Sequence, residues 1–346
     1  MIGRRIAKLS AAVGLVLGLG AAALDEAAAQ PGLKPQVEAF ISRMQREHGF
    51  DISFLRATFV QLKANANVVK AYDAPATAKP WSEFRKLFLT PVRIDGGVAF
   101  WRDNADLLRK ARETFGVPEE IIVAVLGVES IYGRRIGGYR VIEALYTLGF
   151  EEPRRPEFFR DELEQFLLLA RDNGFDPLSI PGSFAGAMGM PQFVASSYRR
   201  YAVDFDGDGR VDLWNSTADI VGSVANYLRS HGWEAGKPVA SPARMLGPDA
   251  IKTLDLGVKP QLSLRELKER GVEAADPLAE SLNAGVFSLD GEQGAEYWLA
   301  FDNFYALTRY NHSKNYAMAV YQLALAILQA RAAEPELRTL PFPIGI

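Results

Sequence analysis

Apolar residues return every three or four positions through most of the chain, the spacing of helices with one buried face. Between Lys34 and Asn104 they fall at Val37, Phe40, Ile41 and Met44, then at Phe54, Leu55, Phe59 and Leu62. Pro75, Pro80 and Pro91 cut this region into short helices and loops. One helix is predicted over Val98–Thr114. Pro118, suited to a first helical turn, opens another that runs through the apolar segment Ile121–Val128. Helical spacing recurs over 141–150, 157–173, 196–203 and 217–231, while 176–193, rich in Gly, Pro and Ser, reads as loop. Ser313–Arg331 is a further predicted helix with Met318, Tyr321, Leu325 and Leu328 as its stripe. After Gly232 the texture changes: Gly and Pro recur, and β-prone runs such as Val286–Leu289 stand beside one short helix, Leu264–Arg270. The fold class this predicts is mainly α, with a small mixed α/β insertion over 233–300.

The first residues carry a different signal. Arg4, Arg5 and Lys8 precede an apolar run from Leu9 to Leu24, and Ala27-Ala28-Ala29 supplies a small-residue cleavage site. This predicts a secretory signal peptide over 1–29. The run is short for a retained anchor, and no later stretch predicts a membrane span.

Composition narrows the chemistry. Of 346 residues, 48% are apolar and 23% charged, enough to bury a core and too few charges for general disorder. Lys and Arg number 39 against 42 Asp and Glu, without a basic run, so no nucleic-acid partner is expected. There is no Cys, which removes disulfides, thiolate metal sites, Cys nucleophiles and a lipid-modified Cys. His48, His231 and His312 are scattered, so no zinc site is expected, and nothing suggests an organic cofactor.

Four features carry candidate chemistry. Glu129 lies four residues after Val125 and seven after Ile122, on the apolar stripe of the helix after Pro118, with Gly133 marking its stop. Desolvation and the negative end of the helix dipole both disfavour its charged form, as a general acid working near neutral pH requires. The structural alternative is an ion pair with Arg134 or Arg135. Second, the small residues of Gly182-Ser-Phe-Ala-Gly-Ala-Met-Gly189 let backbone approach a ligand, with Ser183 and Gln192 available as hydrogen-bonding groups. Third, Asp204-x-Asp206-x-Asp208-Gly209 with Asp212 follows an EF-hand calcium loop. Arg210 stands where a backbone carbonyl serves, and Asn215 occupies the closing position usually held by Glu. Asp219, one helical turn on, is the candidate replacement. A solvated acidic turn is the alternative. Tyr227, Trp298, Phe301, Phe304, Tyr305, Tyr310 and Tyr316 crowd the later chain, mostly as core, with two or three available to face sugar rings.

Together Gly127-Val-Glu-Ser130, the 182–193 segment, the acidic loop ending in Leu213-Trp214, Gly222-Ser-Val-Ala-Asn-Tyr227 and Arg309-Tyr-Asn-His-Ser313 resemble the membrane-bound lytic murein transglycosylase B family. They stand in the family's order from about residue 33 to residue 331. The resemblance implies a goose-lysozyme-like helical core over 106–232 and 301–331, including the EF-hand-like loop 204–215. It also implies an N-terminal helical domain over 33–105 and a β-containing insertion over 233–300. It implies peptidoglycan glycan strands as partner, cut at the β-1,4 bond between N-acetylmuramic acid and N-acetylglucosamine to leave a 1,6-anhydro end. Glu129 matches the catalytic position. Ser183, Gln192, Tyr227, Tyr310, Asn311 and Tyr316 match groove positions, and Asp204, Asp206, Asp208, Arg210 and Asp219 match the calcium loop, a structural Ca2+ site. Phe84 stands where some relatives have Tyr, and the stretch from Trp214 to Asp219 is one residue longer. Without a Cys to acylate, a soluble periplasmic member is expected. The rival readings are a hydrolytic muramidase, which delivers water to C1, and a non-catalytic peptidoglycan-binding protein.

Overall fold

The computed structural model describes residues 32–73 and 79–333. The predicted signal peptide lies outside the described residues. Six helices come first: α1 (Pro35–His48), α2 (Ile52–Phe59), α3 (Ala66–Asp73), α4 (Trp81–Phe88), α5 (Pro91–Asp103) and α6 (Ala105–Phe115). Val37, Phe40, Ile41 and Met44 are the buried face of α1, as the spacing required. The helix predicted over Val98–Thr114 is two helices. Asn104 leaves helical geometry at φ −127°, ψ 26°, and its side-chain amide donates to the Phe100 carbonyl, so the chain changes direction there. Phe54, expected inside, is 47% exposed, because the short α2 buries Leu55, Thr58 and Phe59 instead.

The next group is α7 (Glu119–Ser130), α8 (Val141–Phe150), α9 (Pro156–Asn173), α10 (Ala195–Tyr201) and α11 (Thr217–Ser230). Pro118 sits one place earlier than expected, as the N-cap of α7. The segment 176–193 is loop but for a two-residue antiparallel pair, β1 (Tyr139–Arg140) with β2 (Pro181–Gly182).

The insertion is more sheet than its short β-prone runs foretold. It holds β3 (Ala240–Met245), α12 (Pro248–Lys252), β4 (Gly257–Ser263), α13 (Leu264–Glu269), β5 (Val272–Ala274), β6 (Asn283–Gly291) and β7 (Gly294–Ala300). The strands form one antiparallel sheet in the order β4-β6-β7-β3-β5, which covers a small core of Ala250, Leu264, Leu267, Val272, Ala284, Val286, Leu299 and Phe301.

Two helices then return to the main core: α14 (Asp302–Tyr310) and α15 (Lys314–Ala332). The stripe expected on α15 is only half right. Met318 is buried, but Leu325 and Leu328 are 46% and 43% exposed. The face that packs is Val320, Leu323, Ala324 and Ile327, because α15 lies between α5 and α7 and turns that edge inward. No helix among the described residues is long and apolar enough to cross a membrane.

Candidate active site

Every residue from Ile121 to Val128 is buried, which makes α7 a central strut of the main core. Glu129 is in its last turn and only partly exposed. Burial among aliphatic side chains pushes its carboxyl up to about 7, opposed by one hydrogen bond. That bond comes from the Tyr316 hydroxyl, which donates to Glu129 Oε1 at 2.5 Å. No charged neighbour contributes to the shift. The ion pair with Arg134 or Arg135 does not form. Tyr316 is itself buried, and burial together with the negative charge of Glu129 raises its phenol well above the ordinary range, so it stays a neutral donor.

The backbone directly after the acid is unusual. Ile131 and Tyr132 both adopt left-handed conformations at φ 51° and 56°, followed by Gly133 at 83°. A β-branched residue there is strained. Three contacts hold it. The Tyr132 N–H donates to the Leu126 carbonyl at 3.2 Å, closing the helix end. The Tyr132 hydroxyl donates to the Arg93 carbonyl at 2.7 Å, while Arg93 Nε donates to the Gly127 carbonyl at 3.0 Å. The Tyr132 ring fits against Gly97 and Gly127: a Cβ at either would lie 2.6 or 2.5 Å from its hydroxyl oxygen.

Aromatic rings lead away from Glu129. Tyr310 stacks on Tyr316 with centroids 6.3 Å apart, and Tyr227 tilts against Tyr310 at 4.7 Å. Their hydroxyls serve the fold: Tyr310 donates to the Pro191 carbonyl at 2.7 Å, and Tyr227 to the Arg309 carbonyl at 2.6 Å. Tyr227 is buried, Tyr310 half-buried, and Asn311 is exposed just past the end of α14. Ser183 Oγ accepts from the N–H groups of Ala185 and Ala187 and so shapes its own loop. Gln192 has φ 53°, and its amide donates to the Ile136 and Gly189 carbonyls. Gly182 and Gly189 are needed for close approach, since a Cβ would meet the Ala187 or Leu213 carbonyl oxygen at 2.4 or 2.5 Å.

The acidic loop folds against the N-terminus of α11. Asp204, Asp206 and Asp219 each bring a carboxylate oxygen within 4.8 Å of the others. Asp208 is outside this group and accepts from the Arg210 N–H, while the Asn215 amide donates to Asp212. Asp219 is 1% exposed and accepts from the N–H groups of Phe205 and Asp212, so it ties both ends of the loop to α11. Three convergent carboxylates suit a hard divalent cation. Gly222 lets the loop lie this close, because a Cβ would be 2.6 Å from the Phe205 side chain.

With this geometry in view, residues 32–325 match the family model of the transglycosylase SLT domain. The chain belongs to the SLT transglycosylase family. This transglycosylase is 45% identical over 307 residues to membrane-bound lytic murein transglycosylase B of Escherichia coli K12, covering 86% of this chain and 84% of that protein. Slt35 of Escherichia coli, solved in complex with calcium, matches with a TM-score of 0.78 at 45% identity, over 86% of this chain and 94% of that one. SltB3 of Pseudomonas aeruginosa, solved in complex with NAG-anhNAM-pentapeptide, matches with a TM-score of 0.74 at 32% identity, over 85% and 79%. The transglycosylase is therefore an enzyme of peptidoglycan cleavage with a lysozyme-like helical core and a small sheet insertion.

Two features of this transglycosylase site escape a sequence reading. Tyr316 lies 187 residues from the acid it touches, and nothing local in either segment pairs them. The Arg93–Tyr132 fastening went unread; the signal that could have found it is the Gly96-Gly97 pair, since small residues within a helix admit a close neighbour.

Proposed function

We propose that Glu129 alone carries the proton transfers of a non-hydrolytic cleavage. Its carboxyl proton passes to the glycosidic O4 as the bond from C1 of N-acetylmuramic acid to O4 breaks. The carboxylate then takes the proton from O6 of the same muramyl residue as O6 attacks C1. One bond breaks, one forms, the proton returns, and no water is consumed. A glycosidase that hydrolyses its bond needs a second carboxylate to activate water or attack C1. Here the nucleophile is already part of the substrate, and tethering substitutes for that group. The observation that carries this reading is a carboxyl pushed up to about 7 by burial alone, with a neutral phenol as its one partner.

In this reading Ser183, Gln192, Tyr227, Tyr310, Asn311 and Tyr316 line the groove. Half-buried Tyr310 offers a stacking face, backed by the buried rings of Tyr227 and Tyr316, and the Ser183–Gln192 segment offers closely approaching backbone. A structural calcium ion is held by Asp204, Asp206 and Asp219, with Asp208 and the Arg210 carbonyl completing the shell after a modest adjustment. The calcium complex of Slt35 supports this assignment. The working unit divides into an N-terminal helical region over 33–105, a core over 106–232 and 301–331, and the insertion over 233–300. Export by the signal peptide places the enzyme in the periplasm, beside its substrate.

Mass spectrometry of sacculi digested with the enzyme tests the proposal. Anhydromuramyl ends are expected, whereas reducing ends alone would mean hydrolysis. Glu129→Gln should keep glycan binding and lose cleavage by orders of magnitude; unchanged cleavage would remove Glu129 from the mechanism.

A further inference from the structure

Arg93, in the first turn of α5, grips the chain on both sides of Glu129. Its Nε donates to the Gly127 carbonyl at 3.0 Å, two residues before the acid. Its own carbonyl accepts from the Tyr132 hydroxyl at 2.7 Å, three residues after the acid. The guanidinium is fixed in turn. Nη1 donates to the Leu87 carbonyl at 2.8 Å, and the central carbon lies 5.1 Å from the centre of the Phe88 ring. Arg93 is half-buried, yet among the described residues no carboxylate acts on it, and Arg135 nearby carries its own sign. A guanidinium taken out of water without a counter-charge is costly unless its donors are satisfied. Here they serve main-chain carbonyls, one of them at the negative end of α7.

The same contacts join the helix of the acid to the helix of its partner. Gly97 on α5 faces two neighbours at once: a Cβ there would lie 2.6 Å from the Tyr132 hydroxyl oxygen and 2.5 Å from Ile327 Cδ1 on α15. Gly127 on α7 faces that hydroxyl too and, at 3.1 Å, Leu323 Cδ2 on α15. Phe100, also on α5, stacks on the Tyr132 ring with centroids 5.6 Å apart. The Tyr132 side chain is thus the wedge where α5, α7 and α15 meet. Glu129 and Tyr316 belong to two of these three helices, and one hydrogen bond joins them.

We propose that Arg93 is a positioning residue for Glu129, clamping the end of α7 through Gly127 and Tyr132 so that the carboxyl stays opposite the Tyr316 hydroxyl and out of water. This role rests on Glu129 as the acid, as proposed above. The left-handed backbone at Ile131 and Tyr132 is strained, and an end released from Arg93 relaxes by fraying the last turn of α7. Glu129 stands in that turn. Fraying admits water to the carboxyl and moves it off its mark. On a scale of about a hundredfold in rate for 1 Å of misplacement, a shift of about half that costs about tenfold.

Two variants of the whole enzyme test this. Tyr132→Phe removes the hydroxyl and leaves the ring in its socket. Arg93→Lys keeps the charge and loses the fork that reaches the Leu87 and Gly127 carbonyls together. In each, kcat on glycan strands should fall about tenfold with KM within about twofold. The alkaline limb of kcat/KM should move from about 7 to lower pH, because burial is the larger influence on the Glu129 carboxyl and water relieves it. The titratable groups on which that carboxyl acts, Tyr316, Tyr310 and Tyr227, are all raised by burial and stay neutral through this range. Carbon-13 NMR of the Glu129 carboxyl, assigned against Glu129→Gln, should show the same downward movement with no substrate present. A lowered melting temperature with kcat, the limb and the NMR titration all unchanged would mean that Arg93 only supports the fold, and overturns the proposal. A titration that moves upward in both variants overturns it as well. If Glu129→Gln still cleaves strands, the proposed function fails, and the NMR titration alone still decides whether Arg93 holds this carboxyl.

Discussion

Replacing the acid should make the protein more stable, and only above a certain pH. In the folded chain the Glu129 carboxyl titrates at about 7, against 4.5 when unperturbed. Below pH 4.5 both folded and unfolded states hold the proton, so the group contributes no pH dependence. Between 4.5 and 7 the folded state keeps a proton that the unfolded state has released, and stability falls as pH rises through this window. Above 7 both states are ionised, and a constant penalty remains. Its size is at most about 3 kcal/mol, at 1.36 kcal/mol for each pH unit of the window. Gln at this position is neutral throughout and can still accept from the Tyr316 hydroxyl. Glu129→Gln should therefore match the unsubstituted protein near pH 4.5 and exceed it by up to about 3 kcal/mol at pH 8, a rise of about 5 °C in melting temperature for a chain of this size. Differential scanning calorimetry of both proteins at steps from pH 4 to pH 9, in constant calcium, measures the difference directly. A gap that does not change with pH, or a Gln variant that is the less stable one above pH 7, would refute the claim that burial raises this carboxyl.

The same carboxyl sets an alkaline limb on activity, since the acid must be protonated to act: kcat/KM should fall as pH rises through about 7. Tyr316→Phe removes the one hydrogen bond that favours the charged form, so the limb should move to higher pH, and kcat should fall about tenfold, equivalent to about 1.4 kcal/mol. Calcium should raise the melting temperature and chelator lower it. Asp219→Asn should abolish that difference and cost about 1–3 kcal/mol, because one of the two buried oxygens that accept a backbone N–H becomes an NH2 donor and leaves that N–H unpaired. Gly127→Ala places a Cβ 2.5 Å from the Tyr132 hydroxyl oxygen and should destabilise by about 1–3 kcal/mol, measured by denaturant unfolding.

What the amino-acid order revealed was local. The stripe ending at Glu129 was legible because eight successive buried residues leave a carboxyl nowhere else to be. The acidic loop was legible because its ligand pattern is contiguous, and Asp219 could be named because it sits one turn beyond. The dyad of Glu129 and Tyr316 was hidden, since only the packing of α15 against α7 brings 187 residues of separation down to one hydrogen bond. The break at Asn104 was hidden for the opposite reason: Asn tolerates helix well enough that apolar spacing ran straight through it. Leu325 and Leu328 misled because a helix touching two neighbours, α5 and α7, has a buried edge fixed by those neighbours and not by its own greasiest line. Strand order in the insertion was beyond reach for a related reason, as β3 pairs with β5 on one side and with the more distant β7 on the other.

The left-handed run at Ile131–Gly133 also bears on how this chain tolerates insertions and deletions. It stops α7 one residue after Glu129, and Tyr132 pins the stop to α5. One residue added within α7 would swing the carboxyl by about 100° around the axis and advance it by about 1.5 Å. It would then point away from the phenol that greets it across the core. The length of this helix is consequently a specification as strict as the identity of its penultimate residue, and engineered variants that alter it should be inactive however well they fold.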